Sequence, residues 1–206
     1  MKSRKNYKGR VLKRITKKKV AKKPKKKDIT IQNMVASGDL FVRHISLEKI
    51  VKEIENTMWE PEQFPGLCLK LQEPKVSILI FSSGRIVVAG AKSRKMIELA
   101  VKKLKKILRK VGIKTTKKTK IKINNIVASG NVGFTLNLEK IAAKVEGTEY
   151  NPEEFPGLVY KIPNSNLNFL LFNTGRIVCV GAKREEDIIR ARKELIKLLK
   201  KIKSVN

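Results

Sequence analysis

The chain has only two cysteines, one histidine and one tryptophan in 206 residues, and aromatics make up 5% of it. Cys68 and Cys179 stand alone, without CxxC or Cys/His spacing, which argues against a zinc module and a disulfide scaffold. No metal and no cofactor is expected. Long apolar runs are missing too, and none approaches the roughly 20 residues needed to span a bilayer. The N-terminus is basic but has no apolar segment behind its cations, so it does not read as a secretory leader. An intracellular location is expected: cytoplasm and nucleoid, or the nucleus in a eukaryote.

Acids are scarce as well. Forty-eight Lys and Arg face 18 Asp and Glu, a formal net charge of +30. Such a charge says little about fold and much about partners. It points to a polyanion, nucleic acid before a membrane surface. Residues 1–27 hold 15 of the cations and no acid. Their few apolar residues cannot offset the entropy of ordering, so this segment reads as a disordered basic arm. Elsewhere the chain is apolar enough, at 41% overall, for a real core.

What the chain has in plenty is repetition. IQNMVASG (31–38) returns as INNIVASG (123–130), and SLEKI (46–50) as NLEKI (137–141). FPGL stands at 64–67 and 155–158, FSSGRIV at 81–87 answers FNTGRIV at 172–178, and GAK recurs at 90–92 and 181–183. The offset is 92 at first and 91 thereafter, so one residue is missing early in the second copy. Two copies of this length make two equivalent half-domains rather than a solenoid. The boundaries read as 28–113 and 114–206.

Each copy reads as a strand through ITIQNMV, a short helix near 46–55, and strands at 67–71, 76–81 and 86–89. Ser93 is placed to cap a long helix whose apolar stripe is Ile97, Ala100, Leu104, Ile107 and Val111. Adding 91 gives Ile188, Ala191, Leu195, Leu198 and Ile202. The two long helices cover one face of a shared antiparallel sheet, an α+β fold with pseudo-twofold symmetry. The other face then carries Asn33, Val35, Leu79, Phe81, Val87 and Ala89, with Asn125, Val127, Leu170, Phe172, Val178 and Val180 from the second copy. So broad an apolar, uncharged face marks a binding surface, and burial in a homodimer is the alternative. Phe64 and Phe155 sit among Glu, Pro and Gly, at loop-like punctuation where exposure is expected.

With these motifs the chain resembles the TATA-box-binding protein family, specifically its archaeal-type two-repeat saddle core, over about 30–203. The resemblance implies a curved antiparallel sheet with the two long helices on the convex face. It implies a transcription initiation factor that binds A·T-rich duplex DNA in the minor groove as a monomer, with a dimer when free as the alternative. Phe64, Phe81, Phe155 and Phe172 match the four wedges with which the family kinks DNA. Asn33 and Asn125 match its donors to minor-groove acceptors near the dyad. Val35, Val127, Leu79, Leu170, Val87 and Val178 match its apolar contacts. Lys70, Lys161, Arg85, Arg176, Lys92 and Lys183, with the hydroxyls of Ser83 and Thr174, fall where phosphates are held. Glu153 and Glu154 match the spot where transcription factor B docks, bringing RNA polymerase indirectly, and Glu60 and Glu62 repeat it in the first copy.

Two departures from the family pattern stand out. Ala89 and Val180 occupy central base-contact positions where the family usually has threonine, which implies looser sequence preference. The long helices are heavily basic on their outward side (Lys102, Lys103, Lys105, Lys106, Arg109, Lys110), and the basic arm is not part of the family core. The alternative function is therefore a divergent paralogue, a less sequence-specific DNA-bending, architectural or regulatory protein. An enzyme is not expected: His44 has no repeat counterpart and reads as a surface residue, and the paired glutamates show no sign of convergence on a substrate. An RNA-binding sheet is disfavoured because the aromatics sit at the edges rather than across the face. Trp59 and Tyr150 read as packing anchors, and both cysteines as small core residues.

Overall fold

The computed structural model describes residues 29–115 and 119–204. The basic arm expected over 1–27 lies outside them. The first copy runs β1 (Ile29–Asp39), α1 (Leu47–Glu53), β2 (Thr57–Met58), β3 (Leu67–Leu71), β4 (Val76–Ile80), β5 (Arg85–Ala91) and α2 (Arg94–Lys110). The second repeats it as β6 (Ile121–Asn131), α3 (Leu138–Lys144), β7 (Thr148–Glu149), β8 (Leu158–Lys161), β9 (Asn168–Leu171), β10 (Arg176–Ala182) and α4 (Glu185–Ser204).

All ten strands form one antiparallel sheet in the order β2-β3-β4-β5-β1-β6-β10-β9-β8-β7, which is its own mirror under exchange of the copies. The seam is β1 against β6. Met34 lies opposite Ile126, flanked by Asn33 opposite Val127 and Val35 opposite Asn125. Each residue of the Met34–Ile126 pair is the repeat counterpart of the other, so the pseudo-twofold axis passes between them. The two-residue strands β2 and β7 were not expected from the sequence. They are too short for an alternation signal and exist because each extends the sheet beyond β3 or β8.

Strand alternation divides the side chains cleanly. Met34, Ala36, Ile78, Ile80, Ile86, Val88, Phe169, Leu171, Ile177 and Cys179 point to the helices and are buried. Ser93 Oγ caps α2 by accepting from Met96 N at 3.2 Å, and Ile97, Ala100, Val101, Leu104 and Leu108 bury its inner face. Leu108 is fully buried beside Ile107, which packs half-buried against the core, and in α4 Leu199 is buried beside half-buried Leu198. Val111, the last residue of the stripe read off the sequence, is buried as expected, and the added burial of Leu108 and Leu199 widens the stripe by a neighbouring position. Leu67, Leu69, Ile50 and Leu104 belong to the same apolar cluster as Leu158, Ile141 and Leu195. One core spans both copies.

Candidate nucleic-acid interface

Opposite the helices lies the concave face of the sheet. Asn33, Val35, Leu79, Val87 and Ala89, and Asn125, Val127, Leu170, Val178 and Val180, are all half-buried and on this side. The register sets them in rows. Leu79 stands between Cys68 and Val87, and Leu170 between Val159 and Val178. Charge enters these rows from the sides: exposed Lys122 stands opposite Ser37, which lies opposite Val87, and Lys70 ends the row of Ser77 and Ala89. Lys70, Arg85, Lys92, Lys161, Arg176 and Lys183 are exposed around them, as are Ser83 and Thr174 in the β4–β5 and β9–β10 turns.

At each end of the face stands a phenylalanine pair. Phe64 and Phe81 meet edge to face at 5.9 Å between centroids and 67°, and Phe155 and Phe172 at 5.9 Å and 69°. Phe81 follows β4, its N–H donating to Arg85 O at 3.0 Å across the turn. Phe64 is delivered by the preceding loop, where its N–H donates to Glu60 O at 2.9 Å. It is 44% exposed and Phe155 39%, although both are large apolar side chains. The glycine of FPGL explains why that motif is spelled twice. A Cβ on Gly66 would stand 2.6 Å from Phe64 and 2.9 Å from Phe81, and one on Gly157 2.6 Å from Phe155 and 3.0 Å from Phe172. Any side chain there would push the rings apart.

The asparagines are oriented by the sheet itself. Asn33 Oδ1 accepts from Gly90 N at 2.8 Å, and Asn125 Oδ1 from Gly181 N at 2.9 Å. Both glycines have φ of +91°, where β5 and β10 bulge and release that N–H from the ladder. With its acceptor taken, each amide presents its NH₂ donors to the open face.

Several residues of this surface escape a sequence reading. Gln32 and Asn124 occupy the irregular positions of the β1–β6 pairing, and each reaches a serine across the seam: Gln32 Nε2 donates to Ser129 Oγ at 2.6 Å, Ser37 Oγ to Asn124 Oδ1 at 2.9 Å. A bulge breaks the two-residue period, so alternation alone misplaces them. Ser77 lies opposite Ala89, and Asn168 opposite Val180. Met58 is 55% exposed, and its counterpart Glu149 forms an ion pair with Lys161. Cys68 must be corrected: it is half-exposed and shares its side of β3 with Lys70, not the core. Strand parity with Lys70 is the signal that reveals it. Cys179 is buried, and that burial pushes its thiol up to about 12.

The remaining candidates lie off this face. Glu153, Glu154, Glu60 and Glu62 are exposed in the loops that carry Phe155 and Phe64. His44 is exposed. Trp59 and Tyr150 pack half-buried against the core. Among the described residues no group of three His, Cys, Asp or Glu is placed to hold a metal, and no helix is long and apolar enough to cross a membrane.

Known proteins match the chain in sequence and in fold. A family model described as transcription factor TFIID (or TATA-binding protein, TBP) matches residues 28–111 and again 120–202. The TATA-box-binding protein of Thermococcus celer is 43% identical over 173 residues, 84% of this chain and 91% of that protein. That of Methanocaldococcus jannaschii is 44% identical over 181 residues, 86% of this chain and 97% of that protein. The solved structure of Methanococcus jannaschii TBP superposes with a TM-score of 0.80 at 44% identity, covering 84% of this chain and 99% of that one.

Proposed function

The chain belongs to the TATA-binding protein family, and on that premise we propose that its concave face binds A·T-rich promoter DNA in the minor groove during transcription initiation. The observation that carries this reading is the phenylalanine pair at each end of a face lined mainly by apolar side chains, each pair kept closed by a glycine. Stacked bases resist insertion by a few kcal/mol per step, a cost offset when a widened groove presses sugars and base edges against apolar side chains. Phe64, Phe81, Phe155 and Phe172 are the wedges. Pyrimidine–purine steps such as TA yield most easily, so deformability supplies part of the sequence preference.

Between the wedges, Val35, Val127, Leu79, Leu170, Val87, Val178, Ala89 and Val180 line the groove floor. They offer guanine's exocyclic amine no acceptor, so G·C pairs bury an unpaired donor. Asn33 and Asn125 donate to the acceptors that A·T and T·A present alike. Lys70, Lys92, Lys183, Arg85 and Arg176, with Ser83 and Thr174, hold the phosphates. Lys161 does so after exchanging Glu149 for DNA. Glu153 and Glu154 receive transcription factor B, which brings in RNA polymerase. The chain acts by binding, as a monomer on DNA, and not as an enzyme.

The test is the bend. Energy transfer between dyes at the ends of an A·T-rich duplex should report a sharp bend with the full chain and a nearly straight duplex with Phe81→Ala/Phe172→Ala. An unchanged bend angle in that double variant would refute the wedge assignment. A second reading, a less sequence-specific DNA-bending paralogue, is favoured by one observation: Ala89 and Val180 carry no hydroxyl at the centre of the face. Selection of bound duplexes from a random pool separates the two, since the paralogue returns no A·T-rich consensus.

A further inference from the structure

The convex side of the molecule carries a charge that the concave face does not explain. Helix α2 has eight Lys or Arg and one acid, and that acid, Glu98, is already engaged by Arg94 at 3.5 Å. Residues 99–138 contain eleven Lys or Arg and no Asp or Glu. Lys102, Lys103, Lys106, Arg109 and Lys110 are exposed, on the side of the helix away from buried Ala100, Val101, Leu104 and Leu108. Lys102, Lys106 and Lys110 succeed one another at four-residue spacing, where like charges oppose helix formation. Only Arg109 and Lys110 fall in the last turn, where the helix dipole favours cations.

Helix α4 keeps lysines (Lys193, Lys197, Lys200 and Lys201) at the counterparts of Lys102, Lys106, Arg109 and Lys110 but sets acids among its cations. In α4, Glu194 replaces Lys103 and accepts from Lys197 at 3.0 Å, while Asp187 engages Arg184 at 2.8 Å and Arg190 at 3.7 Å. The same helix on the same sheet therefore accommodates acids.

We propose that the outer face of α2 is a second phosphate-binding surface, which docks the backbone of a DNA duplex other than the one on the concave face. Two features select duplex DNA. Four of the five exposed cations are lysines, residues depleted from protein interfaces but effective as point charges for phosphate. Lys102 to Lys110 span about 12 Å of helix, and a duplex presents about one phosphate per 1.7 Å of its axis. The duplex on the concave face cannot serve both surfaces, because helix and sheet layers intervene and minor-groove wedges bend its arms toward the major groove, away from the protein.

The test captures full-length protein on a short immobilised A·T-rich duplex and measures retention of a labelled G·C-rich duplex across a salt series. Wild type should retain the second duplex. The variant Lys102→Gln/Lys106→Gln/Arg109→Gln/Lys110→Gln should bind the A·T-rich duplex within about twofold of wild type, yet retain at least about tenfold less of the second, with a salt slope flatter by about three. The charge-preserving Lys102→Arg/Lys106→Arg/Lys110→Arg should retain it. Undiminished retention by the glutamine variant overturns the proposal, as does loss that occurs only when residues 1–27 are deleted. Parallel loss of both duplexes overturns it too, since the helix would then act through the concave face. Competition by polyglutamate at lower charge concentration than DNA would assign the surface to an acidic protein instead. Failure of wild type to hold the A·T-rich duplex defeats the function proposed above and not this one, which is then read from the labelled duplex alone.

Discussion

The two halves agree closely at the wedges and asparagines that face inward across the saddle and differ in their acids where they face outward. The phenylalanine pairs agree in centroid distance, 5.9 Å each, and within two degrees in interplanar angle, and both asparagines make the same bond to a glycine at φ +91°. Across the convex side, α2 carries eight cations and one acid while α4 opens on Glu185, Glu186 and Asp187. Duplex DNA has its own approximate dyad in backbone and groove, so as the proposed ligand it would hold both inner faces to one pattern. The inner faces also differ at single positions, Cys68 against Val159, Ser77 against Asn168 and Ala89 against Val180, and Met58 against Glu149 loads the second end of the face with an acid.

The largest expected effect concerns the cations preceding the first half. Deleting residues 1–27 should weaken binding to A·T-rich and scrambled duplexes alike. It should also flatten the plot of log K against log salt by several units, about 0.9 for each phosphate no longer neutralised. Titration at four salt concentrations checks this, and coincident slopes would show that these cations do not touch DNA. Thiol chemistry offers a probe of one half only, because the counterpart of Cys68 is Val159. A maleimide should label half-exposed Cys68 and spare buried Cys179, whose thiolate is out of reach at neutral pH. A bound A·T-rich duplex should slow the labelling by more than about tenfold, and equal rates with and without DNA would remove β3 from the interface.

Smaller effects test the inner asymmetry. Glu149→Met makes the second end like the first and frees Lys161, so affinity should rise by about fivefold, on the order of 1 kcal/mol for an exposed charge near phosphate. Filter binding at low salt reads this, and weaker binding would show that the Glu149–Lys161 pair positions the lysine rather than masking it. Ala89→Thr/Val180→Thr should sharpen discrimination at the central base pairs by about 1 kcal/mol or less. Ser77 and Asn168 already stand opposite these positions and set the ceiling on that gain. A panel of duplexes with single central substitutions measures it.

Much of this architecture is legible in the sequence alone. The internal repeat, strand alternation and the α2 stripe give the layer order, because local periodicity and burial agree along most of the chain. Phe64 and Phe155 are conspicuous as aromatics without a periodic context. What stays hidden depends on contacts distant in sequence. The orientation of Asn33 needs Gly90, 57 residues away, and the bulge positions of Gln32 and Asn124 emerge only in the β1–β6 register. The role of Gly66 depends on a ring brought in by Phe81. Cys68 misleads because cysteine is usually buried, a prior that strand parity overrides here.

A chain severed between Lys114 and Ile121 would leave each piece with an eleven-residue edge strand, β1 or β6, whose seam-side N–H and C=O groups lack partners. Such an edge seeks another strand, and the register centred on Met34 and Ile126 means that a copy of the same piece fits as well as the sister does. A half-length piece with this sheet would therefore pair with a second copy, and joining two copies in one chain makes that concentration-dependent pairing intramolecular. Only after that step are the two halves free to diverge, which is when a lone acid at Glu149 or an α2 crowded with cations becomes accessible to selection.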